Sequence, residues 1–214
     1  MRLDLSRGVL CKATQKVAQA LSEPYQQLLD HLPEASHLGI DETGHKDNGR
    51  LHWTWCFQTP LYSLFHIDAS RGSEVLIRIL GEHFAGIIGC DYWGAYRKYA
   101  RLFNVWVQYC MAHLIRDIRF LADHDLKALA RWGRSLLAWL KKLFHTLHRR
   151  DHYREQNFMR KMLAIKRGFL SRMRRPPNHP LAKKLARRFK GKAAEDYFRF
   201  SVTTPAIPPP PGTE

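Results

Sequence analysis

Short apolar runs of strand length alternate with helical patterns between residues 37 and 124, and no other feature restricts the fold as strongly. The runs at 37–42, 51–58 and 62–68 come first, and the later two alternate apolar with polar residues, as strands with one buried face do. A helical pattern follows at 70–84, and strand-like and helical segments then alternate. Because this order is typical of an α/β sheet, we predict an α/β fold that begins with a three-stranded meander.

Helical patterns flank this region on both sides. Residues 8–31 carry apolar positions at helical spacing, and Pro24 is expected to divide them into two helices. Beyond residue 125 the chain is helical and dense in lysine and arginine until it reaches a proline-rich end, TTPAIPPPPGTE. We therefore divide the chain into a helical segment at 1–34, an α/β core at 35–124, a basic helical region at 125–200 and a tail at 201–214.

The charge of the chain indicates its class of partner. Its 214 residues include 35 Lys+Arg against 19 Asp+Glu, which gives a formal net charge of +16 at pH 7. Such a surface attracts polyanions, of which nucleic acid is the commonest. A hydrophobic content of 45% excludes a disordered basic chain and favours a globular body. A ribosome-like protein and a protein that binds a membrane surface are the alternatives that composition leaves open.

The cysteines and the N-terminal sequence indicate the compartment. Cys11, Cys56, Cys90 and Cys110 are widely spaced and form no C-x-x-C pair, so they fit neither a zinc knuckle nor a disulfide framework. The first residues lack the apolar core and cleavage site of a signal peptide. No stretch approaches the roughly 20 apolar residues of a membrane span. We therefore expect a soluble, cytoplasmic protein with reduced thiols and no membrane partner.

Two aspartates share one sequence context. Asp41 and Asp91 each end a short apolar run with a glycine nearby. If the two runs are neighbouring strands, both carboxylates project from one edge of the sheet, where their mutual repulsion favours a divalent cation. Oxygen ligands suit Mg²⁺ or Mn²⁺, and a pair of such ions can promote phosphoryl transfer. The alternative is that each aspartate caps the turn after its strand.

Other side chains near these aspartates receive structural interpretations. Asp68 also ends a strand-like run, but it precedes a helical pattern and is expected to cap that helix. Glu42 is expected to cap a turn directly after Asp41. The alternating aromatic side chains of the next run are expected to pack in the core: Trp53, Trp55 and Phe57.

Three blocks of the chain together resemble a known family. The blocks GIDETGHKDNGRLHWTWCF, GIIGCDYWGAY and QYCMAHLIRDIRFL are similar, in this order, to the central region of DDE transposases of the insertion-sequence 66 family. The resemblance extends over most of the chain. It implies a ribonuclease-H-like core, with a mixed sheet, flanking helices and a basic all-helical insertion. It also implies that three carboxylates hold two divalent ions, Mg²⁺ or Mn²⁺.

The resemblance assigns the acids to positions in this sequence. Asp41 corresponds to the first catalytic, metal-binding acid and Asp91 to the second. The third acid of the family is a glutamate shortly after a TTP-containing stretch, which is present here as residues 203–205. Prolines replace the polar segment that normally follows, and Glu214 either takes the third position or is there by coincidence. We expect a chain that is shortened at both ends relative to the family.

Basic residues provide candidate DNA contacts. His113 and Arg116 share one helix face and could contact the DNA backbone, whereas the alternative is an ordinary surface face with an Arg116–Asp117 pair. Lysines and arginines of the basic helices suit contacts to phosphates, which bind without reading sequence. The candidates are Lys141, Lys142, Arg149, Arg150, Lys183, Lys184, Arg187 and Arg188.

The function implied by the resemblance is DNA transposition. A transposase catalytic domain would cleave DNA with metal-activated water and join strands with a 3′-hydroxyl as nucleophile. Its partners would be the DNA of transposon ends and target, and the resemblance allows a homodimer and accessory transposition proteins. Two alternatives stay open: a catalytically inactive DNA-binding remnant, and a ribonuclease-H-like nuclease without joining activity. A basic RNA-binding protein is a more distant alternative.

Overall fold

The computed structural model of the protein describes residues 6–199, which contain a five-stranded mixed sheet. The strands lie side by side in the order β3-β2-β1-β4-β5, and both β1–β2 and β2–β3 are antiparallel. The predicted α/β fold and its opening meander are therefore confirmed. The strands are β1 (His37–Asp47), β2 (Arg50–Gln58), β3 (Ser63–Asp68), β4 (Ile87–Cys90) and β5 (Trp106–Tyr109).

Helices precede, connect and follow these strands. The first two divide at Leu21, because Pro24 is tolerated only within the first turn of the second helix. The predicted break into two helices is confirmed. The helices are α1 (Arg7–Ala20), α2 (Ser22–Asp30), α3 (Ser73–Leu80), α4 (Gly94–Leu102), α5 (Met111–Ala122), α6 (Lys127–His148), α7 (Glu155–Met173), α8 (Pro180–Arg187) and α9 (Lys192–Asp196).

Strand β1 is longer than its apolar residues suggest. It continues to Asp47 and turns into β2 through Asn48 and Gly49, which both have positive φ angles (47° and 78°), as a two-residue hairpin turn requires. Asp41 therefore lies in the middle of β1, opposite Cys56 of β2. The prediction that Asp41 ends its strand was wrong, because the polar residues after it pair with β2 instead of forming a turn.

The described chain divides into two compact units. The first holds the described residues up to Ile88 together with Trp93–Val105, and the second holds Gly89–Tyr92 and the described residues from Trp106 onward. The four segments defined from the sequence stay a prediction. In the part of the chain that the structure describes, no helix is both long enough and apolar enough to cross a membrane.

The core of the first unit contains the aromatic residues of β2. Trp55 and Phe57 are fully buried, which confirms their predicted packing role. The indole Nε1 of Trp55 donates to the Ser70 carbonyl oxygen at 3.1 Å, and the Tyr99 hydroxyl of α4 donates to the Gly81 carbonyl oxygen at 2.7 Å. Both contacts fix the ends of α3, because Ser70 precedes that helix and Gly81 follows it.

Asp68 acts ahead of α3 and not at its N-cap. The N-cap residue is Gly72, whereas Oδ1 of Asp68 accepts a hydrogen bond from the Ser70 backbone N–H at 2.7 Å. Its Oδ2 is paired with Arg78 on the helix. The predicted helix cap was wrong because the chain makes a turn between the strand and the helix, and Asp68 stabilises that turn.

Helices α5, α6 and α7 pack together in the second unit. A Cβ atom added to Gly133 of α6 would lie 2.6 Å from the backbone nitrogen of Ala122 and 2.8 Å from its Cα. The two helices therefore approach each other at backbone distance. The apolar face of α6 is buried, including Leu136, Leu140 and Leu143, so its lysines and arginines lie on the other face.

We expect Gly133→Ala to lower the free energy of unfolding by about 1–3 kcal/mol, because backbone atoms of α5 cannot move aside for the added methyl group. The matched control is Gly8→Ala in α1, where the nearest atom to an added Cβ is 3.9 Å away. That substitution should leave the unfolding free energy unchanged or raise it by up to about 1 kcal/mol, since alanine favours a helix. Chemical denaturation measures both, and equal effects would contradict the close α5–α6 contact.

Candidate active site

The two acids that are adjacent in the sequence point to opposite faces of β1. Successive side chains of a strand alternate between its two faces. Asp41 is exposed, and its Oδ1 accepts a hydrogen bond from the Glu42 backbone N–H at 3.1 Å. The Glu42 side chain is only 1% exposed. The apparent pair of carboxylates therefore consists of one acid open to solvent and one buried acid.

Both carboxylate oxygens of Glu42 accept hydrogen bonds from the first unit. Nε of Arg71 donates to Oε1 at 2.8 Å, and the Tyr96 hydroxyl donates to Oε2. The prediction that Glu42 caps a turn was wrong, because β1 has no turn at that point. Glu42 instead links β1 to the segment before α3 and to helix α4. A buried carboxylate held in this way is unsuited to bind a metal ion.

Arg71 is held between two tryptophan rings. Its guanidinium carbon lies 4.5 Å from the ring centre of Trp53 and 4.1 Å from that of Trp93. Gly44 faces Trp53 across the β1–β2 pair, and an added Cβ there would lie 3.2 Å from the indole ring. Gly44 thus leaves room for the Trp53 ring that covers Arg71. Glu42, two residues earlier on the same strand, provides the carboxylate that pairs with Arg71.

The thiol opposite Asp41 stays protonated at neutral pH. Burial raises the pKa of Cys56, and the negative charge of Asp41 raises that pKa further. A neutral thiol adds no charge to this part of β1 and β2.

Asp91 directly follows β4, as the sequence predicted, and its neighbours are firmly packed in the second unit. The Cys110 backbone N–H donates to the Cys90 carbonyl oxygen at 2.7 Å, which joins the ends of β4 and β5. On the other side, the Tyr92 ring packs against Tyr109 with a centroid distance of 4.9 Å. Asp91 is thus carried by a short segment that is fixed at both ends, which suits a group with a catalytic position.

The surroundings of His113 and Arg116 differ from those of the predicted alternative, which was a surface face with an Arg116–Asp117 pair. Asp117 pairs with Arg188 at 2.6 Å instead of with Arg116, which is exposed. Nδ1 of His113 is buried and has no hydrogen-bond partner among residues 6–199. Buried polar atoms rarely stay without a partner, so this nitrogen has capacity for one more hydrogen bond. DNA contact by His113 and Arg116 stays a prediction.

The predicted DNA-contacting cations of the basic helices have different surroundings. Arg188 is engaged by Asp117 and also lies over the Tyr92 ring at 5.3 Å. Arg150 pairs with Glu155 at 3.4 Å. The other six candidates in the basic helices are exposed: Lys141, Lys142, Arg149, Lys183, Lys184 and Arg187. The structure gives Arg188 an internal partner, and DNA binding by the set stays a prediction.

The chain is fixed to β5 at the last residue that the structure describes. Nε of Arg199 donates to the Val107 carbonyl oxygen at 3.1 Å, and Nη2 donates to Asp196 at 2.6 Å. The guanidinium also lies over the Trp106 ring at 4.6 Å. The TTP stretch and Glu214, to which the sequence assigned the third acid, lie outside the described residues.

The donor chemistry of the two aspartates fits a hard divalent cation. Asp41 offers an exposed carboxylate, and magnesium is commonly held by one or two carboxylates together with phosphate oxygens. Within residues 6–199, no group of three or more His, Cys, Asp or Glu side chains could hold a metal ion.

Sequence patterns did not reveal Arg71. A buried glutamate requires a cation, but the partner lies 29 residues away along the chain, among many other arginines. The position of Arg71 directly before a helix gave no indication of its role. Tyr96 lies within the GCDYWGAY block, so the resemblance marked its segment without indicating its bond to Glu42.

We expect Glu42→Ala to lower the free energy of unfolding by about 2–3 kcal/mol, because the half-buried guanidinium of Arg71 and the Tyr96 hydroxyl both lose their acceptor. The control Glu82→Ala removes an exposed carboxylate from the same unit and should change stability by less than about 0.5 kcal/mol. A double variant, Glu42→Leu with Arg71→Leu, should recover part of the loss in the same denaturation experiment. A cost for Glu42→Ala no larger than that of the control would contradict the anchoring role.

Comparison with known proteins places the chain in a family. The family described as Transposase IS66 family matches residues 1–206, which is nearly the whole chain. No curated protein matches the chain. The match includes all three of the sequence blocks that resemble this family. The chain belongs to the IS66 family of transposases.

Proposed function

We propose that this protein carries the catalytic domain of a transposase, which cleaves and joins DNA by metal-dependent phosphoryl transfer on a ribonuclease-H-like sheet. One observation carries the proposal: Asp41 lies exposed on β1, Asp91 follows β4, and β1 and β4 are neighbours in the sheet. Membership of a transposase family supports the proposed roles of these two acids. The order of strands and helices supports the ribonuclease-H-like assignment.

In this proposal the carboxylates of Asp41, Asp91 and a third acid, assigned to Glu214, hold two Mg²⁺ or Mn²⁺ ions. Bound ions of this kind activate a water or 3′-hydroxyl and stabilise the leaving oxygen at the phosphate. The protein contributes rigid placement of the ligands. The buried Glu42–Arg71 pair fixes β1 beside Asp41, and the packed Tyr92 ring fixes the segment of Asp91.

DNA is the proposed substrate, as both transposon ends and target. The family supports DNA binding, and the basic helices supply exposed cations for phosphate contacts. His113 and Arg116 are proposed to contact the backbone near the acids. A homodimer and accessory transposition proteins belong to this proposal as partners that assemble on the transposon ends.

A second candidate function is DNA binding without cleavage. It is favoured by one observation on the sequence, which is that prolines at 208–211 replace the polar segment that in the family leads to the third acid. The two candidates differ in what the aspartates do. A cleaving enzyme requires both carboxylates, whereas a DNA-binding remnant retains its affinity for DNA when either is replaced.

We expect Asp41→Asn and Asp91→Asn each to abolish Mg²⁺-dependent nicking of DNA that carries the transposon ends, because an amide cannot replace a charged metal ligand. Asp47→Asn, at the far end of β1, is the matched control and should retain activity. Gel analysis of plasmid nicking provides the measurement, and a strand-transfer assay separates a transposase from a nuclease. Retained nicking in either active-site variant would refute the assignment of that acid.

Metal binding can be measured without DNA cleavage. Titration calorimetry with Mn²⁺ should detect binding by the full chain, and the double variant Asp41→Asn/Asp91→Asn should lose it. Glu214→Gln should weaken binding if that residue supplies the third ligand. Binding that is absent, or that is unchanged in the double variant, would favour the DNA-binding remnant.

A further inference from the structure

A cleft of about 590 Å³ opens between the end of α7, helix α8 and helix α9, all within the second unit. Its floor is apolar and includes the buried side chains Met173, Phe189 and Ala194. Four cationic side chains line it, and all four are exposed: Arg174, Lys183, Arg187 and Lys190. We call this the α7–α9 cleft. Its volume lies in the range of about 300–1,000 Å³ that is usual for ligand sites.

The positive charge of the α7–α9 cleft is not neutralised by the described part of the protein. Among residues 6–199, no carboxylate forms an ion pair with any of the four cations. Lys183 donates to the neutral amide oxygen of Asn178 at 2.5 Å. The acid that lines the cleft, Glu195, is paired with Lys166, which is not part of the lining. The cleft therefore presents a concentrated positive charge in a concave surface.

The two faces of α8 have different roles. Lys183 and Arg187 are four residues apart and so lie on one face of the helix, which borders the cleft. Arg188 lies on another face, where Asp117 and the Tyr92 ring hold it in place. The sequence grouped these cations as one basic run. The structure separates Arg188, which packs within the protein, from Lys183 and Arg187, which are exposed and have no carboxylate partner among residues 6–199.

The four cations of the cleft come from separate segments of the chain, whereas those of an ordinary solvated basic face lie along one helix. Arg174 comes from the end of α7, Lys183 and Arg187 come from α8, and Lys190 follows that helix. Residues Pro176 and Pro177 cannot continue α7, so the chain turns between the two helices and brings these cations to one concavity. Positive clefts with low-dielectric walls attract polyanions more strongly than flat surfaces of equal charge.

We propose that the α7–α9 cleft binds the phosphate backbone of DNA, with Arg174, Lys183, Arg187 and Lys190 as phosphate contacts. Arg174 and Lys190 were not among the candidates from the sequence. DNA is favoured over a small phosphate compound because the chain belongs to a transposase family and carries a large excess of positive charge. The inference rests on the proposed function only for the identity of the polyanion, since it concerns binding and not cleavage.

The test measures the affinity for a fluorescein-labelled DNA duplex by anisotropy over a range of salt concentrations, without divalent cations. We expect Arg174→Gln/Lys190→Gln to weaken binding at least about tenfold and to reduce the slope of log K against log salt by about 2, one per phosphate contact. The matched control is Lys127→Gln/Arg131→Gln on α6, which removes the same two charges from exposed positions outside the cleft. The control should leave the slope nearly unchanged.

Two further measurements distinguish DNA binding in the cleft from general charge attraction and from binding of a small phosphate compound. The charge-preserving variant Arg174→Lys/Lys190→Arg should retain the wild-type slope, and circular dichroism checks that each variant is folded. Equal loss in the cleft variant and the control would overturn the proposal in favour of general charge attraction. Binding of inorganic pyrophosphate that is lost in the cleft variant while duplex binding is unchanged would overturn it in favour of a small phosphate ligand. Cleavage activity enters none of these readouts, so failure of the catalytic proposal is seen separately.

Discussion

The ion pair between the buried Glu42 and the half-buried Arg71 is the constraint on which the arrangement of the first unit depends. A carboxylate with almost no exposure is tolerated only with a well-placed cation, and that cation is in turn enclosed by Trp53 and Trp93. The pair ties β1 to the segment before α3, while Tyr96 ties it to α4. Because neighbouring side chains of a strand face opposite ways, fixing Glu42 inward also fixes Asp41 outward.

The second unit holds its own acid by a different means. Asp91 is followed by Tyr92, whose ring packs against Tyr109 and Tyr197 and lies beneath Arg188. Aromatic packing replaces the ion pair as the source of rigidity. The same unit uses one arginine to stabilise its interior and leaves others exposed in a concave surface. The basic residues of this unit, which look alike in the sequence, therefore have two roles. Arg188 stabilises the interior, whereas the exposed cations of the α7–α9 cleft are proposed to bind DNA.

The sequence allowed the order of elements to be predicted because alternation and helical spacing are local patterns. The extent of β1 was not predicted, since residues 43–47 are polar and only their pairing with β2 makes them a strand. Asp41 and Asp91 were chosen as candidates from their blocks, and their role stays a prediction. Arg71 could not be found in this way, because its partner Glu42 is distant along the chain. The α7–α9 cleft was also hidden, because a concavity arises from three segments that the sequence presents one after another.

The protonated thiol of Cys56 has a consequence for the metal ion that is proposed to bind at Asp41. A thiolate beside Asp41 would favour soft or borderline ions such as zinc, which bind sulfur strongly. Burial and the charge of Asp41 together raise the pKa of this cysteine, so that sulfur is a poor ligand and a slow target for oxidants at neutral pH. For the proposed metal site, this leaves the Asp41 carboxylate as the ligand from the β1–β2 pair, and a carboxylate suits a hard ion.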